Sequence, residues 1–233
     1  QGQSFVAALD AATGEEVWRT NRDEIDSWAT PLIVEHGGGA QIIVSGRDQL
    51  FSYDLENGDV VWYADGMTMN PIPSPVAADG LVIIMAGYRG NDLKAVDLSL
   101  AKGDITGTDA IVWAFDRDTP YVPSPLLYED HLYFLKRNNG LLSVFDARTG
   151  TPHYQLQRLP EVPNIFASPV GAAGRVYLPG RDGTTLVIRH GGTYEVLAAN
   201  TLADGFDASP ALVGDTIYLR GYNSLYAIGE GGN

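Results

Sequence analysis

The sequence repeats itself at a nearly constant interval, and this repeat constrains the fold more than any other feature. Residues 8–18 recur at 52–62 with Asp, Gly and Trp at matching positions. A third copy spans 95–113 with eight inserted residues, and a fourth, 144–154, closes on Tyr154 where the others have Trp. Self-similarity at a fixed period indicates one structural unit used several times.

A second landmark keeps the same rhythm. A Ser-Pro or Thr-Pro step occurs once in each repeat, and its prolines are separated by 44, 50, 44 and 41 residues. The five steps are Thr30-Pro31, Ser74-Pro75, Ser124-Pro125, Ser168-Pro169 and Ser209-Pro210.

The apolar runs within each repeat predict strands, because they are short, rich in Val, Ile, Leu and Tyr, and bounded by Gly or Asp. Four such runs per repeat predict a four-stranded antiparallel sheet of roughly 42 residues, which must stack on its neighbours to bury both faces. The fold class is therefore all-β, a β-propeller. The predicted single domain, 1–233, contains blades at 1–28 (partial), 29–70, 71–120, 121–164, 165–205 and 206–233 (partial).

The predicted strand count leaves the size of the ring open. Two strands precede Pro31, sixteen lie between Thr30 and Asn200, and three follow Ser209, so 21 strands are predicted where five blades need twenty. Either an N-terminal strand completes the last blade of a five-bladed ring, or the chain is the C-terminal part of a ring of seven or eight blades.

The pattern Ala-x-Asp-x-x-x-Gly-x-x-x-Trp resembles the tryptophan-docking motif of propellers of the pyrroloquinoline quinone (PQQ) type, over nearly the whole chain. That family includes quinoprotein alcohol dehydrogenases and a propeller lipoprotein of outer-membrane protein assembly. The resemblance implies that the aromatic ring fills the gap between neighbouring sheets, beside a small residue and a glycine turn. The predicted docking residues are Ala8, Asp10, Gly14, Trp18, Asp54, Gly58, Trp62, Asp97, Trp113, Asp146, Gly150 and Tyr154.

Composition excludes several classes of partner and chemistry. The net charge of −14 leaves no basic reservoir for a nucleic-acid backbone, and no apolar run is long enough to span a membrane. The absence of cysteine excludes disulfides, thiolate nucleophiles and Cys-based metal sites, and it suits an oxidising compartment. No basic-then-apolar signal is visible, so either the chain is cytosolic or its export signal has been removed. The predicted location is periplasmic or extracellular, which assumes the second alternative.

One predicted face of the propeller carries an arginine after the second strand of every blade. Arg forks match carboxylate and sulfate, and aromatic rings stack on sugars, so an anionic or sugar-like ligand is one interpretation. The other is that each arginine binds backbone carbonyls or an acid of a neighbouring blade. The ligand-face candidates are Arg47, Arg89, Arg137, Arg181 and Arg220, with Trp28, Tyr121, Asn164, Phe166 and Asp207 in the segments before the Ser/Thr-Pro steps.

Metal and cofactor chemistry finds less support in the sequence. The resemblance implies, for an enzyme, PQQ with calcium beside a vicinal disulfide, which a chain without cysteine cannot form. Asp104 and Asp109 in the insertion are weak candidates for calcium ligands. The alternative interpretation is that the insertion is a solvated loop. The histidines at 36, 131, 153 and 190 have no metal-binding spacing and are interpreted as isolated, so zinc hydrolysis is not expected.

The sequence thus predicts a non-catalytic scaffold or binding module of the cell envelope, with no cofactor. It is expected to hold a protein partner or a small anionic or sugar ligand on one face. Two alternatives stay open, a PQQ-dependent oxidoreductase and a lectin-like carbohydrate-binding propeller.

Overall fold

The computed structural model describes residues 4–229, which form 22 strands and no helix. The chain divides into two compact units, Gln1–Arg117 and Asp118–Asn233. Residues 1–3 and 230–233 of the first and last predicted blades lie outside the described residues. Within the described range, no helix has the length and hydropathy needed to cross a bilayer.

The first unit contains three sheets. A two-stranded sheet pairs β1 with β2, a second sheet has the order β10-β6-β5-β4-β3, and a third has the order β11-β9-β8-β7. The strands are β1 (Ser4–Leu9), β2 (Glu16–Arg22), β3 (Leu32–His36), β4 (Gly39–Ser45), β5 (Gln49–Asp54), β6 (Val60–Asp65), β7 (Val76–Ala78), β8 (Leu81–Ala86), β9 (Asp92–Asp97), β10 (Gly103–Asp104) and β11 (Ile111–Phe115).

The second unit repeats the same plan with two four-stranded sheets, β12-β13-β14-β15 and β16-β17-β18-β19, and the three-stranded sheet β20-β21-β22. The strands are β12 (Leu126–Tyr128), β13 (His131–Leu135), β14 (Leu141–Asp146), β15 (Pro152–Arg158), β16 (Val170–Ala172), β17 (Arg175–Pro179), β18 (Thr184–Arg189), β19 (Val196–Thr201), β20 (Ala211–Val213), β21 (Thr216–Arg220) and β22 (Leu225–Gly229).

The turns follow from local chemistry. Asp79 and Gly80, between β7 and β8, both have positive φ, at 51° and 78°. Two left-handed residues give the primed turn whose twist matches that of an antiparallel hairpin. Ala173 and Gly174 repeat this arrangement in the second unit, between β16 and β17.

The predicted count of 21 strands is wrong by one strand. The extra strand, β10, lies in the insertion of the third repeat and pairs in parallel with β6 through Gly103 and Trp62. The insertion is also not the purely solvated loop that its polar sequence suggests. Ile105 is only 1% exposed and belongs to the core around Trp62, because the inserted chain folds back over the neighbouring sheet.

Hydrogen bonds between successive Ser/Thr-Pro steps connect neighbouring sheets within each unit. In the first unit, the backbone N–H of Thr30 donates to Ser74 Oγ over 3.1 Å. In the second, Ser124 N–H donates to Ser168 Oγ and Ser168 N–H to Ser209 Oγ, both at 2.9 Å. The second sequence landmark therefore marks a recurring contact between repeats.

Candidate functional site

The aspartate of the repeated motif organises the turn that precedes the strand carrying the motif aromatic. Asp10 Oδ1 accepts hydrogen bonds from the backbone N–H groups of Ala12 and Thr13, and Asp54 Oδ1 accepts from Glu56 and Asn57. These bonds hold the pKa of Asp10 below its usual value, mainly through the Thr13 N–H. Asp146 Oδ1 accepts the equivalent pair of bonds in its own turn, and Asp97 Oδ1 accepts the N–H of Ser99.

The glycines of the motif close the same turns. Gly14, Gly58 and Gly150 have φ of 75°, 77° and 68°, a conformation that suits glycine best. Each donates its N–H to the backbone oxygen of the aspartate four residues earlier, at 2.8 to 2.9 Å.

The motif aromatics lie opposite small or branched residues on the adjacent strand. Trp18 pairs with Ala8, Trp62 with Ser52, Trp113 with Ala95 and Tyr154 with Val144, each beside a register shift.

Trp18 reaches from its own sheet to the turn of the next. Its indole Nε1 donates to the carbonyl of Leu55 over 2.9 Å. Its ring lies so close to Gly58 that a Cβ built there would be 2.4 Å from Cε3. The small residue at 58 is therefore required by the neighbouring ring as well as by its own backbone.

The recurring arginines have different surroundings in the structure. Arg47, Arg89, Arg137 and Arg181 lie in loops after the second strand of a sheet, whereas Arg220 is the last residue of β21. The prediction that each arginine follows its strand is therefore wrong for Arg220. This residue still pairs with Leu225 of β22, so β21 includes it. The guanidinium of Arg220 donates to the carbonyls of Gly221 and Ser224.

Arg181 is brought together with two other predicted site residues. Its Nη2 donates to Asp207 Oδ2 over 2.8 Å, its Nε lies 2.7 Å from Oδ1, and its Cζ is 4.1 Å from the centroid of the Phe166 ring. The hydroxyl of Tyr222, a residue that no sequence motif marks, donates to the same carboxylate over 2.9 Å. This arginine is bound to an acid, and one face of Phe166 is covered, so that face offers no stacking surface to a sugar.

Arg47 lines an acidic cavity. Its loop opens onto a space of about 490 Å³ whose lining includes Asp23, Glu24, Asp48 and Asp65. Burial raises the pKa of Glu24, and the charge of Arg22 opposes that rise. An anionic ligand would meet four carboxylates here, so the cavity opposes the anion interpretation at this arginine.

Arg89 and Arg137 are exposed and have left-handed backbones, with φ of 52° and 54°. The Arg89 guanidinium lies 5.4 Å from the centroid of the Tyr88 ring. Arg137 donates its backbone N–H to the carbonyl of Thr119 over 3.0 Å, which joins its loop to the segment before β12.

The remaining candidates occupy these same segments. The carbonyl of Asn164 accepts the backbone N–H of Arg181 over 3.0 Å, and Tyr121 is half-buried before β12. Trp28 is 66% exposed in the loop between β2 and β3. Asp104 and Asp109 are exposed, and Asp104 Oδ1 accepts the Thr106 N–H over 2.9 Å, so calcium binding there stays a prediction.

The interpretation of the histidines as isolated is wrong for three of them. The rings of His131 and His153 stack with centroids 4.4 Å apart, and His190 lies edge-on to His131 at 4.8 Å. His131 and His153 are on strands of one sheet, and His190 follows β18 of the next. Their separations of 22 and 37 residues carry no local signal; only the stacking of sheets unites them.

One part of the quinone site implied by the resemblance, the vicinal disulfide, cannot be formed by this chain. No cysteine is present for a vicinal disulfide, and the Asp207 carboxylate is bound by Arg181. Trp62 is fully buried and Trp18 is hydrogen-bonded to a turn, so neither indole is presented to a ligand.

Comparison with known proteins gives a family and a fold. A family model described as outer membrane protein assembly factor BamB matches residues 2–229. The tetrathionate hydrolase of Acidithiobacillus ferrooxidans is 22% identical over 94% of this chain and 46% of its own length. BamB of Francisella tularensis is 26% identical over 38% of this chain and 18% of its own length. The chain thus spans less than half the length of these two curated relatives.

Solved structures show the same architecture. BamB from Moraxella catarrhalis has a TM-score of 0.52 at 16% identity, with 96% of this chain and 78% of that chain covered. Quinohemoprotein alcohol dehydrogenase from Comamonas testosteroni has a TM-score of 0.57 at 16% identity, covering 88% of this chain and 42% of that chain. At this identity the likeness shows the fold, and the fold is a β-propeller of four-stranded antiparallel blades.

Proposed function

The chain belongs to the family of the outer membrane protein assembly factor BamB, and we propose that it is a non-catalytic propeller scaffold of the cell envelope. Its predicted role is to bind a protein partner through loops that connect the blades. The family description, an assembly factor, supports a protein partner. The assignment of all the blades to one domain remains a prediction.

One observation carries this proposal: the loop between β2 and β3 is held by hydrogen bonds and exposes the side chain of Trp28 to solvent. Trp28 is 66% exposed and Ile25 is 60% exposed, both between β2 and β3. The loop is fixed by its backbone, because Trp28 N–H donates to the Pro71 carbonyl over 3.3 Å and Ser27 Oγ donates to Ser45 O. A fixed, exposed tryptophan is the residue type most enriched among binding hot spots, and its preorganisation lowers the entropy cost of binding.

The charge around this loop specifies the chemistry of the partner. Asp23, Glu24 and Asp26 surround Ile25 in the sequence, and the chain as a whole carries −14. Complementary charge speeds association and rejects partners of like charge. We therefore propose a partner surface with basic side chains around an apolar pocket that receives Trp28.

A photo-crosslinking amino acid at position 28 tests the proposal in cells. Ile33 on β3 is the matched control, because it is also apolar and 58% exposed but lies on a strand. We expect position 28, and not 33, to yield a discrete product with one envelope protein, and Trp28→Ala to weaken binding of that purified protein at least 10-fold, which is about 1.4 kcal/mol. Identical products from both positions, or none from position 28, would contradict it.

A second candidate function, binding of a small anion, is favoured by the strained arginine loops. Non-glycine residues at positive φ cost about 1–3 kcal/mol and cluster at binding sites. Arg89 and Arg137 both adopt this conformation with exposed side chains. Arg181 is less suitable, since its guanidinium already binds Asp207.

Charge-reversal variants distinguish anion binding at Arg89 and Arg137 from an effect of the protein's net charge. Inorganic sulfate is titrated into the protein and into Arg89→Glu and Arg137→Glu, with Arg158→Glu as the control because Arg158 is exposed on β15. Saturable sulfate binding that is lost in either loop variant and kept in the control supports an anion site. Equal weakening in all three variants reports only net charge, and it rejects the site.

A further inference from the structure

We propose that His131 and His190, with the carboxylates of Asp130 and Glu129, form a binding site for a divalent transition-metal ion such as Zn²⁺. One donor atom from each of Asp130, His131 and His190 lies within 4.8 Å of the other two. The site lies wholly in the second unit and does not depend on the proposed scaffold function. Mixed imidazole and carboxylate donors suit zinc, nickel or copper better than calcium or magnesium.

The distance between the His190 and Glu129 donors is already that of two ligands of one metal. His190 Nε2 and Glu129 Oε2 are 3.2 Å apart. Two ligands at bond lengths of about 2.0–2.1 Å around tetrahedral zinc are separated by roughly 3.3 Å. Binding therefore needs no separation of these two atoms.

The neighbouring groups fix the orientation of His190. Its Nδ1 lies 2.9 Å from the hydroxyl of Tyr133, and that hydroxyl also accepts the N–H of Gly191 over 2.8 Å. With Nδ1 held by Tyr133, Nε2 is the nitrogen turned toward Glu129. Metal-binding histidines in proteins are oriented by such a partner on the second ring nitrogen.

His131 has a comparable partner. Its Nδ1 lies 2.5 Å from Asp130 Oδ1, which is shorter than the separation of two ligands of one zinc ion, so the exposed Asp130 side chain must rotate away from Nδ1 to bind the metal. The face of the His131 ring is held by the stacked ring of His153, with an interplanar angle of 15°.

Within the cluster, the imidazoles are more deeply buried than the carboxylates. The side chains of His131 and His190 are 13% exposed, whereas those of Asp130 and Glu129 are 67% exposed. The nitrogen donors are thus ordered by packing, and the carboxylates lie at an open edge where an ion has access. Glu129 and Asp130 form the β12–β13 turn, His131 begins β13 and His190 follows β18, so the ion would join two adjacent sheets.

Zinc titration tests the site directly. Tag-free, chelator-treated protein is titrated with Zn²⁺ by calorimetry and with Co²⁺ by visible absorption. We expect one equivalent of zinc, and a loss of about 100-fold or more in affinity in His190→Gln, since outer-shell partners alone are worth about 10–100-fold. Zinc should also raise the melting temperature of the wild type and not of His190→Gln, because binding to the folded state adds stability.

Two further variants control for folding and for adventitious binding. Glu129→Gln changes an exposed side chain that is a proposed ligand, so it should weaken zinc binding at least about 10-fold with the fold intact. His36→Gln removes a histidine of the first unit, outside the cluster, and should leave affinity unchanged. Absence of saturable binding, or affinity that neither His190→Gln nor Glu129→Gln alters, would overturn the proposal.

Discussion

Two junctions between adjacent sheets, one in each unit, have the same position in the repeat and both contain an apolar cluster, but they differ in the polar groups beside it. In the first unit, Trp62 packs with Ile105 and Ala110 in an apolar core, at 0% to 2% exposure. In the second unit, the corresponding junction contains Tyr154, the histidine cluster and the ring of Tyr194, 6.1 Å from Tyr154. The same arrangement of strands accommodates both sets of junction side chains, because other residues specify the turns and strands.

The two motif aromatics show what the exchange of Trp for Tyr changes. The indole Nε1 of Trp62 donates to Gln41 Oε1 over 3.0 Å, so the buried ring has its polar atom satisfied. The hydroxyl of Tyr154 is buried and has no hydrogen-bond partner in the described structure. The aromatic ring of the first junction is therefore both packed and hydrogen-bonded. The second junction contains a buried hydroxyl without a hydrogen bond, beside the histidine cluster.

Trp62→Ala should produce the largest effect on this comparison. Truncation of a fully buried tryptophan costs about 3–5 kcal/mol of unfolding free energy, since both apolar burial and packing are lost. Chemical denaturation measures the change. Trp28→Ala, at an exposed tryptophan, should stay within about 0.5 kcal/mol. Equal losses in the two variants would show that the indole at 62 does not stabilise the junction.

Gly58→Ala and Gly14→Ala separate backbone strain from contact with the docked ring. Both residues have positive φ, so alanine should cost about 1–2 kcal/mol at either position. At Gly58 the new Cβ would also meet Trp18, whereas nothing lies within 4 Å at Gly14. We expect Gly58→Ala to lose about 1–3 kcal/mol more than Gly14→Ala in denaturant titrations. Equal losses would mean that the Trp18 ring moves aside without cost.

Tyr154→Phe should have the smallest effect at neutral pH and a diagnostic one at high pH. Removal of an unpartnered hydroxyl is expected to change stability by less than about 1 kcal/mol at pH 7.

Burial raises the pKa of the Tyr154 phenol well above its ordinary value of 10.0, and the neighbouring hydroxyls of Tyr133 and Tyr194 raise it further. The unfolded chain therefore releases this proton first, and stability falls as pH rises above about 10. We expect the free energy of unfolding to fall less between pH 7 and about pH 11 in Tyr154→Phe than in the wild type, as measured by denaturant titration. A variant with the wild-type slope would contradict a buried phenol at this junction.

The repeated elements could be predicted because their signals are local. Asp54 and Gly58 build one turn through bonds that span four residues or fewer, so their spacing is visible in the sequence. The Ser/Thr-Pro steps were visible for the same reason, although their contact with the next repeat was not.

The environment of the candidate site could not be predicted in the same way. The sequence places an arginine at one position in each repeat, but Asp207 binds Arg181 while Arg47 lines a cavity rich in carboxylates. These differences arise from side chains on other loops, whose identity is not periodic. The second pairing of β6, with β10, has no periodic signal either, because β10 belongs to an insertion that only one repeat contains.

The sequence by itself determined the repeat, its strands and its turns, because hydrogen bonds between near neighbours and alternating apolar residues are written into each copy. Only the tertiary structure decided which side chains meet where one sheet stacks on another. His131 and His190 are 59 residues apart in the chain, and their rings are 4.8 Å apart once the sheets pack. Packing creates that proximity between strands of different repeats, so no local pattern records it.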